Sequence, residues 1–499
     1  MKRICGRLKI SVVLLTGLSA GRVCLAKVTL PSLWSDHVVV QRGMPVQVWG
    51  MAGPGEKISA HFRNATSTGT ADNLGRWEID LPPGEAGGPF TMEIQGENRI
   101  ILSDILVGDV WVASGQSNME FGTKGVLNAE EELKGANQPT IRLFHVDKRS
   151  SDFPQDDVLT KSWVLCTPET VADFSAVAYF FARNIQADQN VPIGLIEADW
   201  GGTPGETWTS LKALSQDGSL MPAWATWADL SENESAALLE QAQEDQERKA
   251  ALAAGKPEPK FPWRPELRSW LPGGAFNGMI APLVKFRVRG FLWYQGESNA
   301  EINRYFYYDR LLRTLIQDWR QRWNEGDIPF LIVQLANFIT SNEAKWPELR
   351  EAQRRTLSVN QTGMAVTIDI GDPDNIHPKN KQEVGRRLSL AARALAYHET
   401  LEYSGPLYRT EMRQGSTIRL YFDHADSGLV AKGDALNGFE IADSDGKFVP
   451  AQASIDGKTV VVSSPQVKDP RAVRYGWVDN PLCNLYNKDD LPASPFSSL

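Results

Sequence analysis

Four short polar segments of this chain carry residue types and spacings suited to nucleophilic chemistry. The first is Gly115-Gln116-Ser117-Asn118-Met119. A serine at the tip of a strand-to-helix turn is where a hydrolase nucleophile sits, beside helix N–H groups that favour a developing oxyanion. Gly115 permits the tight turn. Met119 separates the segment from the G-x-S-x-G elbow, and taken alone Ser117 reads equally well as a helix cap. The second segment is Trp200-Gly201-Gly202-Thr203-Pro204-Gly205, whose paired glycines let a backbone N–H approach a ligand. The third is Trp293-Tyr294-Gln295-Gly296-Glu297-Ser298-Asn299. There Gln295 can offer an amide to a negative oxygen, and Glu297 is a carboxylate able to orient a neighbour. The fourth is Asp372-Pro373-Asp374-Asn375-Ile376-His377-Pro378. Asp374 and His377 lie three apart in a proline-flanked loop. That spacing lets a carboxylate reach Nδ1–H while Nε2 points elsewhere, which fixes the tautomer and raises basicity.

Each segment follows a predicted strand. In an open α/β sheet, ligands bind at the carboxyl ends of the strands, so four such loops can converge. Apolar strand runs are expected at 109–114, 141–146, 191–200, 290–294, 330–338 and 364–370. Helical periodicity marks 174–185, 308–323 and 381–397. This alternation predicts a parallel sheet covered by helices over 103–403. Residues 27–102 and 404–499 instead carry short β-rich runs between turn signals, and each predicts a small β region. Residues 209–275 read as a surface insertion, because 229–254 is rich in Ala, Glu and Gln and 256–265 is Pro-rich and charged.

Composition narrows the classes. The chain has 499 residues, 42% of them hydrophobic, which suffices for a large core and excludes intrinsic disorder. With 52 Lys+Arg against 61 Asp+Glu, the net charge is −9, which argues against a nucleic-acid binder. Residues 1–26 have the pattern of a secretory signal: Lys2, Arg3, Arg7 and Lys9, then a short apolar run, then Cys24-Leu25-Ala26. The expected location is secreted or periplasmic, with no membrane anchor in the mature chain. After cleavage only Cys166 and Cys483 remain, either paired or as two buried thiols. The other five of the six histidines compete poorly with His377, and no zinc-protease, P-loop or dinucleotide motif is present.

Together the four segments resemble the SGNH/GDSL hydrolase superfamily and, more closely, the sialate O-acetylesterase family. The resemblance extends to Gly108-Asp109-Val110-Trp111, Asn277-Gly278-Met279-Ile280-Ala281-Pro282-Leu283, Val473-Arg474-Tyr475-Gly476-Trp477 and Asn484-Leu485-Tyr486-Asn487. It implies an SGNH-type three-layer α/β/α parallel-sheet catalytic domain flanked by small β-sandwich-like N- and C-terminal regions. It implies Ser117 as nucleophile, His377 as general base and Asp374 as orienting acid. The oxyanion donors would be the Ser117 N–H, a glycine N–H from Gly201 or Gly202, with Gly202 favoured, and the Gln295 side chain, where the wider superfamily uses Asn. Asn118 and Glu297 complete the substrate-binding set. The implied reaction is two-step acetyl transfer from an acetylated sugar, most of all an O-acetylated sialic acid, with acetylxylan the alternative and no metal or cofactor needed. Two other classes fit parts of the sequence. One is a glycoside hydrolase using Glu297 and Asp374 as paired carboxylates. The other is a non-catalytic glycan-binding protein relying on its 16 tryptophans.

Overall fold

The strand Arg99–Gly115 changes character along its length, and the fold is organised around that change. Near its start, exposed and buried residues are interspersed and it pairs antiparallel with Gly87–Gln95, as a strand with one wet face does. From Ile105 to Gly115 every residue is buried, and the strand pairs in parallel with Ile193–Asp199 on one side and Gly290–Tyr294 on the other. The division expected between 102 and 103 therefore falls inside one continuous strand. That strand joins the N-terminal β region and the catalytic sheet into a single 11-stranded sheet. The computed structural model describes residues 27–499 except 262, 302 and 341–343, so the leader expected at 1–26 lies outside the described residues.

The catalytic part of the sheet runs Thr362–Ala365, Phe330–Val333, Gly290–Tyr294, Arg99–Gly115, Ile193–Asp199, Gln138–His145, with Val164–Cys166 antiparallel at the edge. Side chains alternate between two apolar layers, as the two-residue period of a strand requires. Trp111, Ala113, Leu292 and Tyr294 pack with Phe180, Phe181 and Leu388, from the helices Ala176–Gln189 and Lys381–Leu395. Val110, Val112, Phe291 and Trp293 pack on the opposite face with Leu311, Leu315 and Trp319, from the helix Tyr308–Trp323. Burying one such side chain contributes about 1.5–3 kcal/mol, so both faces hold the strands in register. The result is the three-layer α/β/α arrangement, and it leaves the loops after the parallel strands at one edge.

The sheet-covering helices begin and end where local chemistry dictates. Ala176–Gln189 is capped by the Ser175 hydroxyl, which accepts from the Ala178 N–H, and stops at Asn190 in the left-handed region. Asn324 ends Tyr308–Trp323 in the same way. The insertion forms helices Met221–Glu232 and Glu234–Ala253, and the second has no buried residue.

Residues beyond 404 build two four-stranded antiparallel sheets around a separate apolar cluster that includes Ile418, Leu420, Val460 and Phe496. This region is tied to the catalytic layer by the fully buried Arg350. Its guanidinium donates to the carbonyls of Leu335, Ala336, Val478 and Asp479. Cys166 and Cys483 are both free thiols, and burial pushes each up to about 12. Among the described residues, no helix is long and apolar enough to cross a membrane.

Candidate active site

The nucleophile loop is shaped first by Gly115. Its φ is +142°, and a Cβ there would stand 2.1 Å from the Tyr294 carbonyl oxygen, so only glycine lets the chain turn so close to the neighbouring strand. Gln116 then donates its N–H to that same carbonyl at 3.0 Å, and Ser117 opens the short helix Ser117–Glu120. The fourth loop comes across from the sheet's far side. His377 Nε2 lies 2.8 Å from Ser117 Oγ, although the residues are 260 apart in sequence.

His377 is held on several sides. Its own N–H donates to Asn375 Oδ1 at 2.9 Å, and its ring stacks on Phe121 at 6.4 Å between centroids. Asn118 Nδ2 donates to the preceding carbonyl, that of Ile376, at 2.9 Å, and to Glu297 Oε1 at 2.6 Å. Beneath Asn118 lies Lys381, fully buried, which donates to Asn118 Oδ1 and sits over the rings of Phe121 and Tyr294 at 5.0 and 5.2 Å. Burial pushes the Lys381 ammonium down to about 7, with the Glu297 carboxylate opposing. Burial also pushes Glu297 up. His377 is held below the ordinary histidine range, first by burial and then by Lys381, with Glu120 pulling the other way. The imidazole is therefore neutral at neutral pH, the form able to accept the Ser117 proton.

The glycine loop meets the nucleophile at Gly201, where a Cβ would lie 3.3 Å from Ser117 Cβ. The Gly201 N–H is already engaged, donating to Glu120 Oε2 at 2.6 Å, while Glu120 Oε1 is paired with Lys148 at 2.5 Å. Among the described residues, the N–H groups of Ser117 and Gly202 are donated to no protein acceptor. Two backbone donors, one in the nucleophile loop and one in the glycine loop, are thus uncommitted among the described residues.

Two expectations need correction. Gln295 does not present its amide to the site. It is fully buried, and both Nε2 hydrogens have internal acceptors: the Thr203 carbonyl at 3.2 Å and Asn299 Oδ1 at 2.7 Å. Its Oε1 accepts from the Tyr308 hydroxyl at 2.9 Å. An amide so occupied cannot also donate to a third oxygen. Asp374 is likewise not brought to His377. Its carboxylate is exposed and, among the described residues, bonds neither to the imidazole nor to any other group, while its N–H donates to Asp372 Oδ1 at 3.0 Å. The paired-carboxylate alternative loses ground for the same reason, since Glu297 is occupied by Asn118 and Asp374 faces solvent.

Sequence reasoning passed over Glu120 and Lys381. The signal for Lys381 was its position four residues after His377 at the start of a helix. Glu120 had none beyond adjacency to the serine helix.

Known proteins are similar to this chain over most of its length. A family profile described as "Carbohydrate esterase, sialic acid-specific acetylesterase" matches residues 266–394, a span that holds both Gln295 and His377. The sialate O-acetylesterase of Mus musculus is 31% identical over 505 residues, covering 90% of this chain and 90% of its own. This chain belongs to the sialate O-acetylesterase family. The Homo sapiens sialate O-acetylesterase is 28% identical, covering 93% of this chain and 90% of its own. A crystal structure of a carbohydrate acetylesterase from Xanthomonas citri superposes with a TM-score of 0.83 at 38% identity, covering 95% of this chain and all of that one. As a family member the protein is a carboxylic ester hydrolase acting on acetylated sugars, with the three-layer fold of SGNH-type esterases.

Proposed function

We propose that this esterase removes O-acetyl groups from sialic acids by a serine mechanism centred on Ser117. The observation that carries the reading is the 2.8 Å approach of His377 Nε2 to Ser117 Oγ, with the Ser117 and Gly202 N–H groups bonded to no protein acceptor among the described residues. Ser117 Oγ attacks the acetyl carbonyl and His377 takes its proton. The oxyanion is held by the two N–H groups. The sugar oxygen leaves with the proton from His377, and water cleaves the acetyl-enzyme by the same route. Asp374 is assigned no orienting role in this reading, because its exposed carboxylate makes no hydrogen bond to His377 among the described residues.

The sialate preference rests on the relatives named sialate O-acetylesterase. The proposal includes export, from the basic, apolar and small-residue order of residues 1–26, with cleavage after Ala26. Acetate release from O-acetylated sialic acid and from acetylxylan tests the reading. The expected result is faster release from the sialate. Ser117→Ala and His377→Ala should each lose at least about 10³-fold in kcat, because such residues act as a unit. Asp374→Asn should lose less than the roughly 10⁴-fold typical of a buried triad acid. Unchanged turnover in Ser117→Ala would sink the mechanism. Faster release from acetylxylan would move the substrate to plant polysaccharide.

A further inference from the structure

We infer that Trp263, supplied by the insertion 209–275, is the platform on which the sugar ring of the substrate stacks. This rests on the deacetylase reading of Ser117. The charged and Pro-rich sequence around this tryptophan reads as a solvated surface, yet the chain returns at three places to the glycine loop and the helical turn Gly205–Trp208 that follows it. Trp270 Nε1 donates to the Gly202 carbonyl at 2.8 Å, Gly273 N–H to the Glu206 carbonyl at 3.0 Å, and Ala275 N–H to Thr207 Oγ1 at 3.1 Å. Trp270 is buried, with the Arg304 guanidinium 4.1 Å from its ring centroid. Trp263 packs against this fixed ring at 6.1 Å and 42°.

Its indole covers Gly202. A Cβ at Gly202, whose φ is +74°, would come within 2.7 Å of Trp263 Cζ2. Gly202 follows the residue that touches Ser117, so the ring stands at the edge of the reacting centre. It is nonetheless 61% exposed. An isolated exposed apolar side chain needs no explanation. This one is an indole held by a buried aromatic, over Gly202, with its surface open to solvent. It also lines a groove of about 610 Å³ that runs along the helix Glu234–Ala253, a volume in the range of small-molecule sites.

Among the described residues, the groove offers no free cation to define a ligand by charge. Arg264 is paired with Glu240 and Glu244 at 3.0 and 2.6 Å, Arg268 with Asp152 at 3.1 Å, and Arg248 with Glu258 at 3.7 Å. Its lining combines the rings of Phe261 and Trp263 with aliphatic side chains such as Leu230 and Leu238 and with carboxylates such as Glu234 and Asp245, and of these the exposed indole is the surface suited to the apolar C–H face of a pyranose. An acetyl ester is too small to supply much binding energy, so selectivity for a sugar ester over a simple one must come from contacts to the ring.

The test uses the full chain and compares kcat/KM for an acetylated sugar with that for ethyl acetate, which has no ring. In Trp263→Ala the ratio of sugar ester to ethyl acetate should fall about tenfold, chiefly through KM for the sugar, the scale of an aromatic contact plus its buried area. Trp263→Phe should restore most of the ratio, which guards against a folding defect. O-acetylated sialic acid and acetylated xylo-oligosaccharide are run in parallel, and the arm that loses more identifies the ring that Trp263 receives. An unchanged ratio in Trp263→Ala, with wild type active on sugars, overturns the platform alone. An equal fall in kcat on both esters also overturns it, because the ring would then serve only to hold Gly202. No acetate release by wild type from any acetylated sugar overturns the deacetylase reading, and the platform with it.

Discussion

The strands Ile193–Asp199 and Gly290–Tyr294 flank the strand that leads into Ser117, and each ends in a polar loop containing glycine, yet the two loops use their polar groups differently. After Ile193–Asp199, the Gly202 N–H is left unengaged among the described residues while its neighbour Gly201 is locked to Glu120. After Gly290–Tyr294 the polar groups are turned inward. Gln295 bonds to Asn299 and to the Thr203 carbonyl, Asn299 to the Gly205 N–H and to Glu206, and the Tyr307 hydroxyl to Glu206 at 2.5 Å. The second loop is thus a buried frame that fixes the first. Groups available for chemistry are those the fold leaves unpartnered at the surface of such a frame, since a fully satisfied network rigidifies and has nothing left to donate.

Substitutions can break this contrast. Gly202→Ala places a Cβ against Trp263 on a backbone with φ +74° and disturbs the uncommitted N–H. It should lower kcat by about 10²–10³-fold, the typical loss of one oxyanion donor. If Gly201→Ala proves the more damaging in steady-state kinetics, the donor assignment is reversed. Gln295→Met, which keeps the volume but removes the amide, should lower stability by about 1–3 kcal/mol for each buried partner left unsatisfied. Denaturant melts would show this loss, and kcat of the folded enzyme should fall less than tenfold. A hundredfold loss of kcat at unchanged stability would make Gln295 a donor after all and erase the distinction. Lys381→Met has the smallest effect and the most specific. Lys381 is pushed down to about 7, so it is charged on the acid side of neutrality, where it holds His377 low. Activity requires neutral His377 and is lost as pH falls through its value. Removing the ammonium should therefore move the acid limb of kcat/KM to higher pH. A limb that stays put or moves down would show that Lys381 does not act on the imidazole.

Much of the frame was legible in the chain. The apolar runs around Val110–Val112 type positions and 290–294 are too uniformly buried in character for a one-sided sheet, and they form parallel strands packed on both faces. The helix Tyr308–Trp323 appears with the predicted bounds, because its apolar stripe and the left-handed Asn324 mark both its face and its end. The strands expected at 330–338 and 364–370 are shorter, Phe330–Val333 and Thr362–Ala365. Beyond them the chain leaves the sheet, with Gln334 turned to the Ser494 hydroxyl of the C-terminal region and Thr367 to the Gln334 carbonyl. The site was legible as residue types at strand ends. It was not legible as occupancy: an amide at position 295 has the same sequence appearance whether its hydrogens face a ligand or Asn299.

Local order along the chain determined which strands are parallel, that a serine and a histidine follow two of them, and that the same edge receives both, because periodicity and turn residues act over a few neighbours. The tertiary structure alone decided which polar groups remain free. Those choices were Glu120 on the Gly201 N–H, Asn118 and Lys381 beneath His377, Gln295 inside the frame and Trp263 over Gly202. Each depends on a partner tens to hundreds of residues away, and a hydrogen bond or ring contact is settled by distance in space, which no local pattern encodes.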